Sequence, residues 1–198
     1  MRVRIKVQYI IFSVLIVLIF LITSCSTFTS TPVPFSEIDL ESLLVLSGDL
    51  PAGLTGAQVR DQVPEMFKDI GGYDNAIFRE FERNGKHIGG VTIFLYESLD
   101  ALDVAYDSIG DFGESGGKEI KNTGGEMKIT VGNIPDVGEE AKYWVVEGSF
   151  LGISLDGADL AFTRCHSVVH IRVDTANIDV IVAYAKRLDK RITELVCR

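Results

Sequence analysis

Hydrophobic positions divide the chain into one unbroken run near the start and a series of shorter periodic segments after it. The run, Ile10–Ile22, is interrupted only by Ser13 and follows a basic stretch holding Arg2, Arg4 and Lys6. A positive segment leading into an apolar one of this length is the secretory signal pattern. As helix the run covers about 20–24 Å, short of the ~30 Å hydrocarbon core that a stable span needs to cross. Ser26–Pro34 is uncharged and rich in Ser, Thr and Pro, which predicts an extended tether reaching at most about 30–35 Å.

From Phe35 the pattern predicts an α+β domain over residues 35–198. Ser36 with Asp39 has capping-box spacing, and Ile38, Leu40, Leu43, Leu44 and Leu46 predict a short N-terminal helix over Glu37–Leu46. Gln58–Phe67 suggests a second short helix. Asn84-Gly85 predicts a two-residue hairpin turn that pairs Phe81 with Ile88. Val91–Tyr96 is apolar on both faces, as in a central strand. Ser98 then caps a helix carrying Leu99, Leu102, Ala105, Tyr106 and Ile109, which Gly110 ends. Gly110–Gly125 reads as a mobile loop, with an edge strand near Met127–Val131. Lys142–Val146 predicts a strand, Gly148–Gly157 a turn region, and Leu160–Arg164 with Val168–Val173 a second hairpin. The last helix, Asn177–Val196, places Ile178, Ile181, Val182, Ala185, Leu188, Ile192 and Leu195 on one stripe.

The two hairpin-helix units share residues. Phe81-x-Arg83 matches Phe162-x-Arg164, Val91-x-Ile93-x-Leu95 matches Val169-x-Ile171-x-Val173, and Val104-Ala105-Tyr106 recurs as Val182-Ala183-Tyr184. A strand-strand-helix duplication predicts an antiparallel sheet with both long helices on one face and the other face free of helix. The alternative is that any such unit selects these residue types.

Charge narrows the partners. The chain of 198 residues has a net charge of −9; without the leader, residues 1–24, 16 basic residues remain against 28 acidic ones, a balance of −12. Such a surface repels phosphate backbones, so nucleic acid is not an expected partner.

The apolar run closes with Ile22-Thr23-Ser24-Cys25, which resembles the lipobox of bacterial lipoprotein precursors. The resemblance covers only the leader. It implies a diacylglyceryl thioether on Cys25, cleavage before it, and a membrane-anchored chain on the extracytoplasmic face of the cell membrane. Two or three acyl chains hold firmly where one binds marginally. The alternative is an uncleaved signal anchor; both leave the domain outside the cytoplasm. A looser resemblance, carried by Leu43-Leu44, Asp49-Leu50-Pro51-x-Gly53, Val168-Val169 and Ala185-Lys186-x-Leu188-Asp189-x-Arg191-Ile192, points to a group of extracytoplasmic lipoproteins without an assigned activity. It carries over no functional residue.

With Cys25 lipidated, Cys165 and Cys197 remain, an even number in an oxidising space. The strand from Cys165 runs ~26–30 Å out and the last helix ~30 Å back, which predicts a Cys165–Cys197 disulfide. Reactive groups are sparse. His166 and His170 stand ~13 Å apart on a strand, too far to share a metal ion with ~2 Å bonds, and His87 sits beside a hairpin turn. Ser115 matches Gly-x-Ser-x-Gly and Ser-x-x-Lys (with Lys118), but the elbow needs a preceding strand and the lysine pair a helix, neither of which the glycine-rich loop supplies. The acids Asp107, Asp111, Glu114, Asp136, Glu139 and Glu140 lack calcium-loop spacing. Tyr143 and Trp144 point to opposite faces of their strand, one toward a core and one available to a ligand. No cofactor, metal or catalytic residue is expected. The sequence favours a non-catalytic binding or interaction module, with an envelope assembly factor and an extracytoplasmic hydrolase as alternatives.

Overall fold

A strand that is apolar on both faces needs cover on both, and the computed structural model supplies it with a helix on each side of one antiparallel sheet. The structure describes residues 34–44, 50, 53–60, 63–64, 67, 70–122 and 126–197, with backbone alone over 112–122 and at 150. The expected leader, Cys25 and the tether up to residue 33 lie outside these residues.

Eight strands form the sheet: β1 (Thr55–Arg60), β2 (Asn75–Arg83), β3 (Lys86–Leu95), β4 (Glu126–Asn133), β5 (Glu140–Phe150), β6 (Ile153–Ser154), β7 (Gly157–Arg164) and β8 (Ser167–Val173). Their order is β1-β2-β3-β8-β7-β5-β4, with β6 added to β5. Helix α1 (Leu99–Asn122) follows β3, and α2 (Asp179–Leu195) follows β8. The fold is mostly sheet with two long helices.

Alternation along the central strands sorts the core into two layers. Ile93 and Leu95 of β3, Leu160 and Phe162 of β7 and Val169 and Ile171 of β8 face α2, where Ile181, Tyr184, Ala185, Leu188 and Ile192 are fully buried. Phe94 and Tyr96, Ala161, Val168 and Trp144 face the other way and pack against Leu102, Ala105 and Ile109 of α1. The expectation of both helices on one face is therefore wrong, and so is the helix-free face. A strand like β3, with Val91–Tyr96 all buried, leaves no face that water can tolerate.

The repeat holds only in the central strands. Val91 pairs with Ile171 and Ile93 with Val169, so sequence-matched positions cross symmetrically at the sheet centre. Outward the match slips: Phe162 pairs with Val169, whereas Phe81 pairs with Gly89. The expected Phe81–Ile88 pair fails because Ile88 is the extra residue of a bulge between Phe81 and Glu82. Gly89 beside it has φ +139, and a Cβ there would strike the Arg172 carbonyl. The turn itself is as expected, Asn84 and Gly85 both having positive φ.

Three other expectations change. The short N-terminal helix is instead two 3-10 turns, Phe35–Glu37 and Leu40–Ser42, separated by an extended Ile38. Asp39 there accepts a hydrogen bond from the Glu41 amide, a local bond that competes with helix, while Leu40, Leu43 and Leu44 still reach the core. Gln58-Val59-Arg60 belongs to β1, where pairing to β2 overrides the weak helical pattern. Third, α1 does not stop at Gly110 but continues to Asn122, since glycine weakens a helix without blocking it as proline does. Ser98 does cap it, its hydroxyl accepting from the Ala101 amide. The edge strand near Met127–Val131 appears as β4, and the turn region after Lys142–Val146 holds the end of β5 and β6.

The C-terminal end is fastened at the β7–β8 turn. Cys165 and Cys197 are joined, with Cα atoms 5.6 Å apart and a sequence separation of 32. Beside them Arg164 grips Asp189 of α2 with two bonds, Nε to Oδ1 at 2.6 Å and Nη2 to Oδ2 at 2.8 Å, and also donates to the Gly138 carbonyl. That bond to Asp189 raises the guanidinium pKa above its ordinary value. Replacing Cys165 and Cys197 together by Ser is expected to lower the unfolding free energy by about 3 kcal/mol, through the freed loop-closure entropy of the unfolded chain. Chemical denaturation reads this directly; an unmoved midpoint contradicts the staple.

Candidate functional site

Antiparallel pairing sets side chains in rows across the sheet, and two rows beneath α1 carry the polar chemistry. One runs Trp144, Asp159, Arg172, and the next Lys142, Ala161, His170, Thr92. Asp159 and His170 are buried, and His170 Nε2 lies 2.9 Å from Asp159 Oδ1. Arg172 reaches the other carboxylate oxygen at 3.7 Å. Trp144 stacks on the His170 ring at 6.0 Å, and Phe67 meets it edge-on at 5.0 Å. Burying a carboxylate is costly unless it is paired and hydrogen-bonded, and this island satisfies that condition inside an apolar layer.

Above the island, α1 and the sheet separate into a cleft of about 330 Å³ lined by Tyr106, Asp107, Gly110, Asp111, Lys142, Trp144 and Ala161. Small residues make the space. Gly110 has no side chain, so the Lys142 arm runs past it, its Nζ 3.7 Å from where a Cβ would stand. Ala161 leaves room on the sheet side. Tyr106 at the cleft has its hydroxyl pKa pushed up to about 12 by burial, then by the charges of Glu140 and Asp107. Tyr96, fully buried in the same layer, has its hydroxyl pKa raised by burial and finds no hydrogen-bond partner among the described residues.

The singled-out residues end in different places. Cys165 and Cys197 form the cystine, and Cys25 is outside the description. His87 is exposed at its hairpin, and His166 sits in the β7–β8 turn, where Nδ1 donates to the Tyr96 carbonyl and the ring packs on Phe35. His170, which the sequence places too far from His166 to share a metal ion, is buried and paired with Asp159, a residue the sequence does not single out. A charge inside the apolar run Gly157–Phe162 was the available signal. Trp144 and Tyr143 do point to opposite faces, but each face has a core, so both are at least partly buried. Ser115 lies within α1 rather than in a loop. Helix is the setting that a Ser-x-x-Lys pair requires, so the objection from the loop falls, while the strand before an elbow serine is still lacking. The side chains of 112–122 are outside the description. Among the described residues no three His, Cys, Asp or Glu side chains gather as a metal site.

No protein-family model, curated protein or solved structure matches this chain.

A tyrosine pKa raised in the folded state contributes stability that is complete below its unfolded value near 10 and is lost as pH rises toward about 12. Replacing Tyr106 by Phe is therefore expected to flatten the fall in stability between pH 10 and 12, and to remove one late-ionising phenol from the ultraviolet titration. An unchanged alkaline limb contradicts the burial of the Tyr106 phenol beside Glu140 and Asp107.

Proposed function

We propose that the chain is a membrane-anchored extracytoplasmic lipoprotein whose α+β domain binds a ligand without transforming it. The leader ending in Ile22-Thr23-Ser24-Cys25 supports the anchor, and the Cys165–Cys197 cystine supports an oxidising compartment. Among the described residues no helix is long and apolar enough to cross a membrane.

The observation that carries the binding reading is the cleft under α1. At about 330 Å³ it stands at the small end of ligand pockets, and it combines Trp144 and Tyr106 with three charged side chains. The polar island beneath it, Asp159 with His170, works as support: it fixes the Trp144 ring from below. An assembly role is the second reading. It is favoured by Leu151 and Ile153, 85% and 66% exposed at the β5–β6 tip, where apolar side chains meet water.

Two arms test the proposal. Labelled palmitate should enter the wild-type chain and not the Cys25→Ser variant. In a thermal-shift screen of small polar solutes, at least one should stabilise the protein, and Gly110→Leu, which grows a side chain toward Lys142 and fills the cleft, should abolish that shift. Label retained in Cys25→Ser overturns the anchor. No stabilising solute, or shifts indifferent to Gly110→Leu, overturns the cleft.

A further inference from the structure

Deepening the assembly reading above, on which it rests, we infer that the β5–β6 tip is a plug for a protein partner that presents an apolar pocket with a basic rim. Leu151 and Gly152 form the two-residue turn between Phe150 and Ile153, with φ of +51 and +78. Positive φ at both central positions suits asparagine, aspartate or glycine and strains leucine. Yet Leu151 stands 85% exposed and Ile153 66%, so packing inside the domain does not offset that strain. The tip works against the fold that carries it, which sets it apart from apolar residues scattered singly over a surface.

Size excludes a second copy as the occupant. Two side chains fall far short of the ~800 Å² per partner that a stable interface buries, so two tips meeting symmetrically would not hold. A pocket closing around one tip would. Charge argues against a bilayer and for a basic rim. The open hollow beside the turn is bounded by Glu126, Glu147 and Asp156 against Lys128, which pairs with Glu147 at 2.9 Å. Such a surface repels anionic headgroups and its own copy, and attracts lysine or arginine. Position agrees. β5 runs about 35 Å from Glu140, beside the β7–β8 turn, to the tip. Phe35 packs on His166 of that turn, so the preceding chain enters at the far end of the sheet. From Cys25, ten residues lead to Phe35 and reach at most about 35 Å; a tip resting on the membrane that holds Cys25 would draw them taut.

Photoreactive benzoylphenylalanine is placed in the full chain instead of Ile153, and separately instead of Val104, 67% exposed on α1, in the cells that make the protein. Irradiation is expected to give one discrete protein adduct from 153 and none from 104. Leu151→Asn, which suits the left-handed turn, should leave the melting temperature equal or higher while cutting that adduct about tenfold. Glu126→Lys should cut it about threefold. A lowered melting temperature for Leu151→Asn overturns the inference, since leucine then serves the fold. So does an adduct at twice the mass of the chain, an adduct with lipid alone, or one indifferent to either substitution. An adduct from 104 and none from 153 overturns the tip and leaves the assembly reading standing; silence at both positions removes both.

Discussion

Everything in this domain depends on a sheet whose middle strands cannot face water on either side. Buried residues run without interruption along β3 from Gly89 to Leu95, continuing to Tyr96, and β7 and β8 are nearly as closed. One helix cannot cover two faces, so α1 and α2 are placed back to back across the sheet. Each carries the stripe its own face needs: Leu102, Ala105 and Ile109 on α1, and Ile181, Ala185, Leu188 and Ile192 on α2. The cleft is a consequence of this division. Where α1 lies over β5 and β7, glycine and alanine stand opposite each other and the two layers fail to close.

Polar groups hold the layers in register. On the α2 side, Arg164 and Asp189 tie the β7–β8 turn to the helix a few residues from the cystine. Arg191 donates to the Leu44 carbonyl and fixes the N-terminal segment against α2. On the α1 side, Asp159 and His170 sit in the sheet itself, between Trp144 and Phe67. A buried pair of this kind adds little net stability, but removing one partner strands the other in an apolar layer. Its effect is to define how Trp144 lies at the floor of the cleft.

Elements whose signals are local were legible in the sequence. Asn84-Gly85 turned as its φ preference requires, the second hairpin and α2 fell close to their expected ranges, and the Cys165–Cys197 bond followed from strand and helix lengths. Where competing signals were close in energy, reading failed. Leu40, Leu43 and Leu44 are spaced as a helix, yet an aspartate bond and an extended Ile38 break it into 3-10 turns. Glycines after Ile109 argued for a loop, although none forbids helix. The largest error came from topology. The doubly apolar character of Val91–Tyr96 was visible, but the resemblance between the two hairpin-helix units argued for helices on the same side, and periodicity within a helix does not say which face of a sheet it will meet. Asp159 and His170 were invisible as a pair because only the β7–β8 register brings them together.

The two-faced sheet is tested most directly by proton–proton contacts from the single indole of Trp144 in solution. The account predicts nuclear Overhauser cross-peaks from that ring to Leu102, Ala105 or Ile109 of α1 and to the His170 ring, with none to Tyr184 or Leu188 of α2. Cross-peaks from Trp144 to Tyr184 or Leu188 would contradict the division of the helices between the two faces, and the cleft under α1 would lose its floor.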